Sequence, residues 1–211
     1  MAISTKAELH TAVANWLNRS DLTARIPEFI SLTEAGFNRN LRTREMLVRS
    51  TASTSGQYVS LPTDYLEMLN IELTSTSPPK RLVYITSDRS DDYRERQNNE
   101  TGTPDYYTIE GASIQLLPTP SAAVTVQLNY YQDIPALSGL ADSGDNWLLL
   151  AHPDVYLYGT LMQASPYVMD PQSAGQWGGL LDRAMQELQL SDEKSRYSGG
   201  TLNMRPKYVY S

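Results

Sequence analysis

The chain has 211 residues with 24 acidic and 17 basic side chains, giving a formal net charge of −7 at pH 7. This charge disfavours a protein that wraps nucleic acid, because each phosphate contact requires a cation. The lack of cysteine excludes disulfides, thiolate metal sites and thiol nucleophiles, and the lack of a signal-like start or a long apolar run leads us to expect a soluble protein with no membrane partner.

Residues 4–41 predict two helices. Thr5 and Glu8 have the spacing of a capping box, and the apolar residues that follow, including Trp16, recur with the period of a helix. The string NRSD interrupts the pattern. Pro27 is expected near the first turn of the second helix, where a missing N–H is tolerated.

Residues 46–132 change to a pattern of short strands. Two strands flank a turn at Ser55 and Gly56, and the last, AVTVQLNYY, alternates apolar and polar residues as expected for a strand with one buried face. The segment SDRSDDYRERQNNETG carries charges of both signs and predicts a solvated short helix and loop. The string DIPALSGLADSGDN is rich in Pro, Gly, Ser and Asp and predicts a long loop.

Helical patterns return after this loop. One helix is expected over residues 147–168, and another from Pro171 to about Tyr197, where Gly199 and Gly200 stop it. Both are amphipathic, so both are expected to pack on other helices.

The strands form one run between two helical ends, which predicts an α+β fold. Residues 1–45 and 146–197 are expected to form a helical bundle. Residues 46–145 are expected to form a central antiparallel β domain with long loops, and residues 198–211 an extended C-terminal arm.

The candidate catalytic and ligand sites carry weak signals. His152 and Asp154 lie close in sequence, but residues two apart on a helix point in different directions. The alternative is that Pro153 opens a helix with Asp154 in its first turn. Asp142 and Asp145 lack the spacing of a calcium loop, and GQWGG lacks the preceding strand and the lysine of a phosphate loop. We therefore expect no catalytic residue, no cofactor and no metal.

Tyrosine is unusually frequent, with 14 residues against 2 Phe and 3 Trp. Tyrosine suits surfaces that become buried when a partner arrives, although a tyrosine-rich monomer core has the same composition. In the helix that begins near residue 147, small and aromatic residues on several faces predict close contacts with other helices. The residues predicted to pack between subunits are Trp147, Tyr156, Tyr158 and Gly159.

Basic residues gather at two places. One cluster ends the second helix, where it either favours the helix dipole or faces an acidic partner; it consists of Arg39, Arg42, Arg44 and Arg49. The second is the C-terminal segment, which has no acid after Glu193. This segment also carries aromatic residues, which are uncommon in disordered ends, and it therefore predicts docking onto another chain.

Five strings in order along the chain resemble the head-to-tail adaptor proteins of tailed bacteriophages. They are NWLNRSDLTARIPEFISLTEAGFNRNLRTREM, YVSLPTDYLEM, TGTPDYYTIEGASIQLLPTP, NWLLLAHPDVYLYGTLMQASPYVMD and LNMRP. The resemblance covers nearly the full chain. None of the strings is a catalytic motif, so an enzyme is not expected.

The resemblance implies a structural virion protein, assembled in the host cytoplasm as a homo-oligomeric ring, usually of twelve copies, under the portal protein ring. It implies a platform for tail or nozzle proteins and a channel in which DNA passes without specific binding, as an acidic lumen would allow. It also implies that the C-terminal arm docks on the portal, through the residues Met204, Arg205, Pro206, Lys207, Tyr208 and Tyr210.

Two other functions remain open. A tail-associated module that binds carbohydrate or a receptor would stack exposed tyrosines on sugars. A cell-wall glycoside hydrolase would need two carboxylates across a cleft, and the strand region offers Glu67, Glu72, Asp105 and Glu110. The sequence does not pair them.

Overall fold

The computed structural model describes residues 3–19 and 21–196 of the chain. Within them the fold is α+β, and the chain forms two compact units. The helical unit contains the described residues up to Arg44 and from Pro135 onward, and the β unit is Glu45–Ile134. The expected arm, residues 198–211, lies outside the described residues.

Six α-helices lie within the described residues. They are α1 (Lys6–Leu17), α2 (Ile26–Asn40), α3 (Ser87–Arg96), α4 (Trp147–Ala151), α5 (Pro153–Ala164) and α6 (Pro171–Arg196). All except α3 belong to the helical unit, in which α5 packs against α1, α2, α4 and α6.

Local signals set the ends of α1 and the start of α2. The Thr5 hydroxyl accepts a hydrogen bond from the Glu8 N–H, and the Glu8 carboxylate accepts one from the Thr5 N–H, which confirms the capping box. Asn18 ends α1 in the left-handed conformation, with φ of 51°. Pro27 lies in the first turn of α2, as predicted.

The helix predicted over residues 147–168 is in fact two helices. α4 ends at Ala151 and α5 begins at Pro153, with His152 between them at φ −139° and ψ 64°. A residue before proline is disfavoured in the helical region, and proline has no N–H with which to continue the α4 hydrogen bonds. The chain turns again after Ala164, so the predicted C-terminal end was too late as well.

The core of the helical unit is apolar and comes from all five of its helices. Its buried side chains include Leu9, Val13, Ile30, Phe37, Leu148, Val155, Leu161, Ala184 and Leu188. Two of the 26 residues of α6 are fully buried, Ala184 and Leu188. Much of this long helix therefore faces away from the core of its own unit.

Residues 135–145, which the sequence pattern assigned to the β domain, contact the helical unit. The N–H groups of Lys6 and Ala7 donate to the carbonyls of Gly144 and Asp142 at 2.9 and 3.0 Å. The first N–H groups of a helix have no partner inside the helix. The loop supplies such partners to α1, and it is part of the helical unit.

The β unit contains two four-stranded sheets and one two-stranded sheet. The strands are β1 (Leu47–Thr54), β2 (Tyr58–Ser60), β3 (Tyr65–Leu73), β4 (Lys80–Arg81), β5 (Val83–Tyr84), β6 (Thr101–Gly102), β7 (Tyr106–Glu110), β8 (Ser113–Leu117), β9 (Thr119–Pro120) and β10 (Val124–Gln132). The orders are β1-β10-β3-β4, β2-β8-β7-β5 and β6-β9. Pairing is antiparallel except in β5–β7 and β6–β9.

The strands on either side of Ser55 and Gly56 belong to different sheets. β1 pairs along its full length with β10, whereas β2 pairs with β8. The turn is where the sequence predicts it, but it carries the chain from one sheet to the other and closes no hairpin.

One apolar cluster joins the two larger sheets. It includes Ile71 of β3, Leu128 of β10, and Ile114 and Leu116 of β8, all essentially inaccessible to solvent. In β10 the side chains of Val126, Leu128 and Tyr130 are buried while their neighbours Gln127 and Asn129 are half-buried, so the predicted alternation is confirmed. The two sheets therefore pack face to face.

Candidate functional site

A buried network of polar side chains joins α2, the loop before α4, and α5. Asn146 caps α4, since its Oδ1 accepts a hydrogen bond from the Leu149 N–H at 2.9 Å. Its Nδ2 group donates to the carbonyl of Pro135 at 2.8 Å and to the hydroxyl of Tyr156 at 2.7 Å. The Tyr156 hydroxyl donates in turn to Glu34 Oε1 at 3.1 Å. The network thus ties together segments that are far apart in sequence.

Glu34 is the acidic member of this network and is 4% exposed. Burial raises the pKa of its carboxyl, while the hydrogen bonds from the Leu137 N–H, 2.8 Å from Oε1, and from Tyr156 act in the opposite direction. Burial also raises the pKa of Tyr156, and the nearby Glu34 carboxylate adds to the effect. The Tyr156 hydroxyl therefore remains a hydrogen-bond donor. The polar groups of the network form hydrogen bonds with one another, which indicates a structural role.

The histidine–carboxylate pair of the sequence lies at the junction of α4 and α5. The His152 N–H donates to the carbonyl of Leu148 at 2.8 Å and its own carbonyl accepts the Val155 N–H at 3.2 Å, while its side chain makes no capping hydrogen bond. Asp154 is exposed in the first turn of α5, directly after Pro153. These positions agree with a proline-initiated helix that has an acid at its N-terminus.

The other candidate ligand groups form no metal site in the part of the chain that the structure describes, where no group of three or more His, Cys, Asp or Glu side chains is suitably placed. Asp142 contributes its backbone carbonyl to the start of α1. The string GQWGG lies inside α6, so its glycines form no loop.

The four carboxylates considered for sugar hydrolysis are divided between the two larger sheets. Glu67 and Glu72 lie on β3, whereas Asp105 precedes β7 and Glu110 ends it. Asp105 forms an ion pair with Lys80. Because the two sheets share no hydrogen-bonded strands, strand pairing does not place Glu67 or Glu72 next to Asp105 or Glu110.

The helical unit carries an aromatic cluster, made of Trp16 on α1, Tyr158 on α5 and Trp177 on α6. The ring centroids of Trp16 lie 5.5 Å from Trp177 and 6.4 Å from Tyr158, both edge to face, and Tyr158 stacks on Trp177 at 6.3 Å. Trp16 is 51% exposed and the other two are half-buried. Exposed aromatic groups of this kind are typical of protein–protein contacts.

Residues 4–205 match the family model described as SU10 adaptor protein. The chain belongs to the SU10 adaptor protein family. This is a family of phage head-to-tail adaptors, so the adaptor is a structural protein of the phage particle and the resemblance in the sequence is confirmed. No curated protein matches its sequence. Among the described residues of the adaptor, no helix combines the length and apolar character needed to span a bilayer.

The four predicted packing residues of the adaptor differ in exposure. Tyr156 is completely buried in the polar network, and Gly159 is buried facing α2. Tyr158 belongs to the aromatic cluster, and Trp147 is half-buried at the start of α4. Tyr158 and Trp147 are thus the two that retain surface for a neighbouring molecule.

The sequence pattern does not mark Trp16 or Trp177 as surface residues of the adaptor. Trp16 continues the periodic stripe of Leu9 and Val13, which are buried, but Trp16 itself remains half exposed near the end of α1. Trp177 lies among glycines. The usable signal is residue type, because tryptophan is enriched at protein–protein interfaces.

The basic cluster of the adaptor lies partly on the C-terminus of α2. Arg42 Nη1 donates to the carbonyls of Asn38 and Leu41 at 2.8 and 2.5 Å, as the helix-dipole interpretation predicts. Asp192 near the end of α6 accepts the Arg44 N–H at 2.9 Å, so the ends of α2 and α6 are held together. The predicted portal-docking residues lie outside the described residues; they are Met204, Arg205, Pro206, Lys207, Tyr208 and Tyr210.

Proposed function

We propose that the adaptor assembles in the host cytoplasm as a ring of twelve copies beneath the portal ring of a tailed phage. There its helices form a bundle around a channel for DNA, and the ring receives the tail or nozzle proteins. The observation that carries the proposal is the family match, which covers residues 4–205 and therefore includes both units.

The aromatic cluster is the proposed contact between neighbouring copies. Trp16 is half exposed, and Leu180 on α6, 39% exposed, lines a shallow cavity of about 200 Å³ together with Tyr158. Burial of apolar surface contributes about 25 cal/mol per Å². A neighbouring copy that covers these side chains would therefore stabilise the ring, and the exposed aromatic groups would become part of a core.

Residues 198–211 are the proposed arm that docks on the portal. They contain Arg205 and Lys207, no acid, and three aromatic or sulfur-containing side chains, Met204, Tyr208 and Tyr210. An extended segment of this length reaches at most about 45 Å. A portal surface that is acidic and has apolar pockets would complement it, because cations and tyrosines then both find partners.

The acidic charge supports the proposed channel. Each copy has a formal net charge of −7, so a ring of these copies would be strongly acidic, and we propose that part of this charge faces the axis. A negative field repels DNA phosphates and lets the duplex pass without binding.

The first experiment measures the molar mass of the purified protein by light scattering, alone and after mixing with the phage portal ring. We expect a species that joins the portal in a fixed number of copies. A variant that lacks residues 198–211 should remain folded and lose portal binding. Unchanged portal binding by this variant would overturn the arm, and no binding by the full chain would overturn the proposed function.

A further inference from the structure

The helix α3 and the strands β5 and β7 border a cavity of about 430 Å³ in the β unit, which we call the α3 pocket. Its lining residues are Ile85, Arg89, Asp92, Tyr93, Arg96 and Tyr106. The charged side chains are exposed, whereas Ile85 and both tyrosines are half-buried. The pocket therefore has a charged rim and a largely apolar floor.

The wall formed by α3 is held in place by buried contacts. Ser90 is completely buried and its hydroxyl donates to Gln115 Oε1 on β8 at 3.4 Å. On the same helix the ring of Tyr93 packs edge to face on that of Tyr106, with centroids 5.2 Å apart. These contacts hold the backbone of α3, and with it the positions of Arg89 and Arg96 on the helix, against the sheet.

The two arginines of the rim differ from their neighbour on α3 in their ion pairs. Within the described part of the chain, neither Arg89 nor Arg96 forms an ion pair, whereas Arg94 on the same helix pairs with Asp91 at 3.8 Å and donates to Asn99 at 3.3 Å. The pocket lining contains one acid, Asp92, against these two arginines, so its formal charge is +1.

The spacing of the arginines defines the ligand. Arg89 and Arg96 are seven residues apart, two turns of helix, so they lie about 10 Å apart along its axis. This separation is close to that of acids three residues apart in an extended peptide. Arginine binds carboxylates through two parallel hydrogen bonds, and an apolar residue beside the acids can pack on the tyrosine rings.

We propose that the α3 pocket binds an acidic peptide segment of a partner protein. A continuous polyanion such as DNA fits less well, because the net charge of −7 opposes its approach along the whole contact, whereas a short segment meets only the local rim. The proposal does not rest on the oligomeric ring, since binding takes place on a single chain.

Isothermal titration calorimetry of the full chain at low ionic strength tests it, with hexaglutamate as the probe and hexaglutamine as the uncharged control. We expect hexaglutamate to bind and hexaglutamine not to bind. Arg89→Gln and Arg96→Gln should each weaken binding at least about tenfold, because each removes one charge-assisted pair.

The matched control is Arg94→Gln, which removes the same charge from the same helix but outside the pocket lining. Hexaglutamate affinity within about twofold of wild type is expected for it, because an exposed charge elsewhere contributes little. Equal weakening by all three substitutions would show a general charge effect and overturn the pocket. Absence of hexaglutamate binding, or tighter binding of inorganic phosphate or of a short DNA duplex, would overturn the acidic peptide.

Discussion

At the scale of single residues, the helical unit contains a buried carboxylate, that of Glu34, whose hydrogen-bond donors are neutral groups. Glu34 Oε1 accepts from the Leu137 N–H and the Tyr156 hydroxyl, 103 and 122 residues away in sequence. These donors stabilise the carboxylate, but burial has the larger effect and raises its pKa. The ionised group is therefore tolerated at a cost in stability that depends on pH.

Glu34→Gln keeps an oxygen acceptor for both donors and removes the titrating group. Because folding raises the pKa of Glu34 above its ordinary value of 4.5, the stability it contributes is fully present below pH 4.5 and is lost as pH rises through the raised pKa. We expect the free energy of unfolding of Glu34→Gln to increase relative to that of wild type as pH rises toward neutrality. Urea unfolding at a series of pH values measures this difference.

The matched control is Glu187→Gln, which removes an exposed carboxylate paired with Arg183 at 3.0 Å on α6. Its pH profile should run parallel to wild type with a small offset, because exposed ion pairs contribute little. If the Glu34→Gln profile were also parallel to wild type, the raised pKa would be contradicted.

Gly159 allows α5 to approach α2 closely. A Cβ atom at this position would lie 2.5 Å from Thr33 Cγ2 and 3.2 Å from Phe37 Cζ. Gly159→Ala is therefore expected to destabilise the fold by about 1–3 kcal/mol, as overpacked cores do. Gly179→Ala in α6, where a Cβ meets nothing within 4 Å, should instead stabilise by about 0.5–1 kcal/mol. Thermal or urea unfolding distinguishes them, and equal effects would refute the close contact.

At the scale of elements, the loop before α4 and the junction of α4 with α5 organise the helical unit. Helix α4 ends just before His152, and α5 begins just after it at Pro153. Asn146 caps the N-terminus of α4. The cap is at the same time a bridge, because the Asn146 amide reaches Pro135 and Tyr156. Local capping and tertiary contact are thus combined in one side chain.

Asn146→Ala should therefore cost more than an ordinary cap. Loss of the α4 cap costs about 1 kcal/mol, and the buried Tyr156 hydroxyl and Pro135 carbonyl lose a donor as well, which brings the expected total to about 2–4 kcal/mol. Thr5→Ala, which removes the cap of α1 without a second partner on a distant segment, should cost about 1 kcal/mol. Equal losses in urea unfolding would show that the Asn146 bridge contributes nothing.

At the scale of the whole molecule, the adaptor leaves aromatic surface that its own fold does not cover. Trp16, Tyr158 and Trp177 come from three helices that are separate in sequence, and the packing of α5 with α1 and α6 brings them together. The cluster keeps apolar surface, including half of Trp16, that is not buried in the single chain. It is expected to stabilise assembly, where the remaining surface is buried.

Trp16→Ser tests this expectation. The single chain should stay folded, because Trp16 is half exposed, whereas assembly on the portal ring should weaken by at least tenfold, as for a central aromatic contact worth about 2 kcal/mol. Tyr58→Ser, on the β unit with the same 51% exposure, is the matched control and should assemble normally. Light scattering of adaptor–portal mixtures measures both, and equal assembly of both variants would contradict the aromatic contact.

Much of the fold could be predicted from the sequence where the signal is local. The capping box of Thr5 and Glu8, the alternation in β10 and the helix from Pro171 to Arg196 each depend on neighbours within a few residues. The residues of the candidate site were harder to predict from the sequence. Trp16 looked like a core residue, because periodicity identifies one face of a helix without showing how far the core extends along it.

The sequence by itself determined most of the elements, the acidic charge and the family, because capping, periodicity and family motifs depend on residues that are close together in the chain. Only the tertiary structure decided that β1 and β2 join different sheets, that Glu34 meets Tyr156, and that Arg89 and Arg96 border one pocket. Such contacts can join residues that are far apart in the sequence; Glu34 and Tyr156, for example, are 122 residues apart. Their free energy depends on burial and distance in three dimensions, which no short stretch of sequence contains.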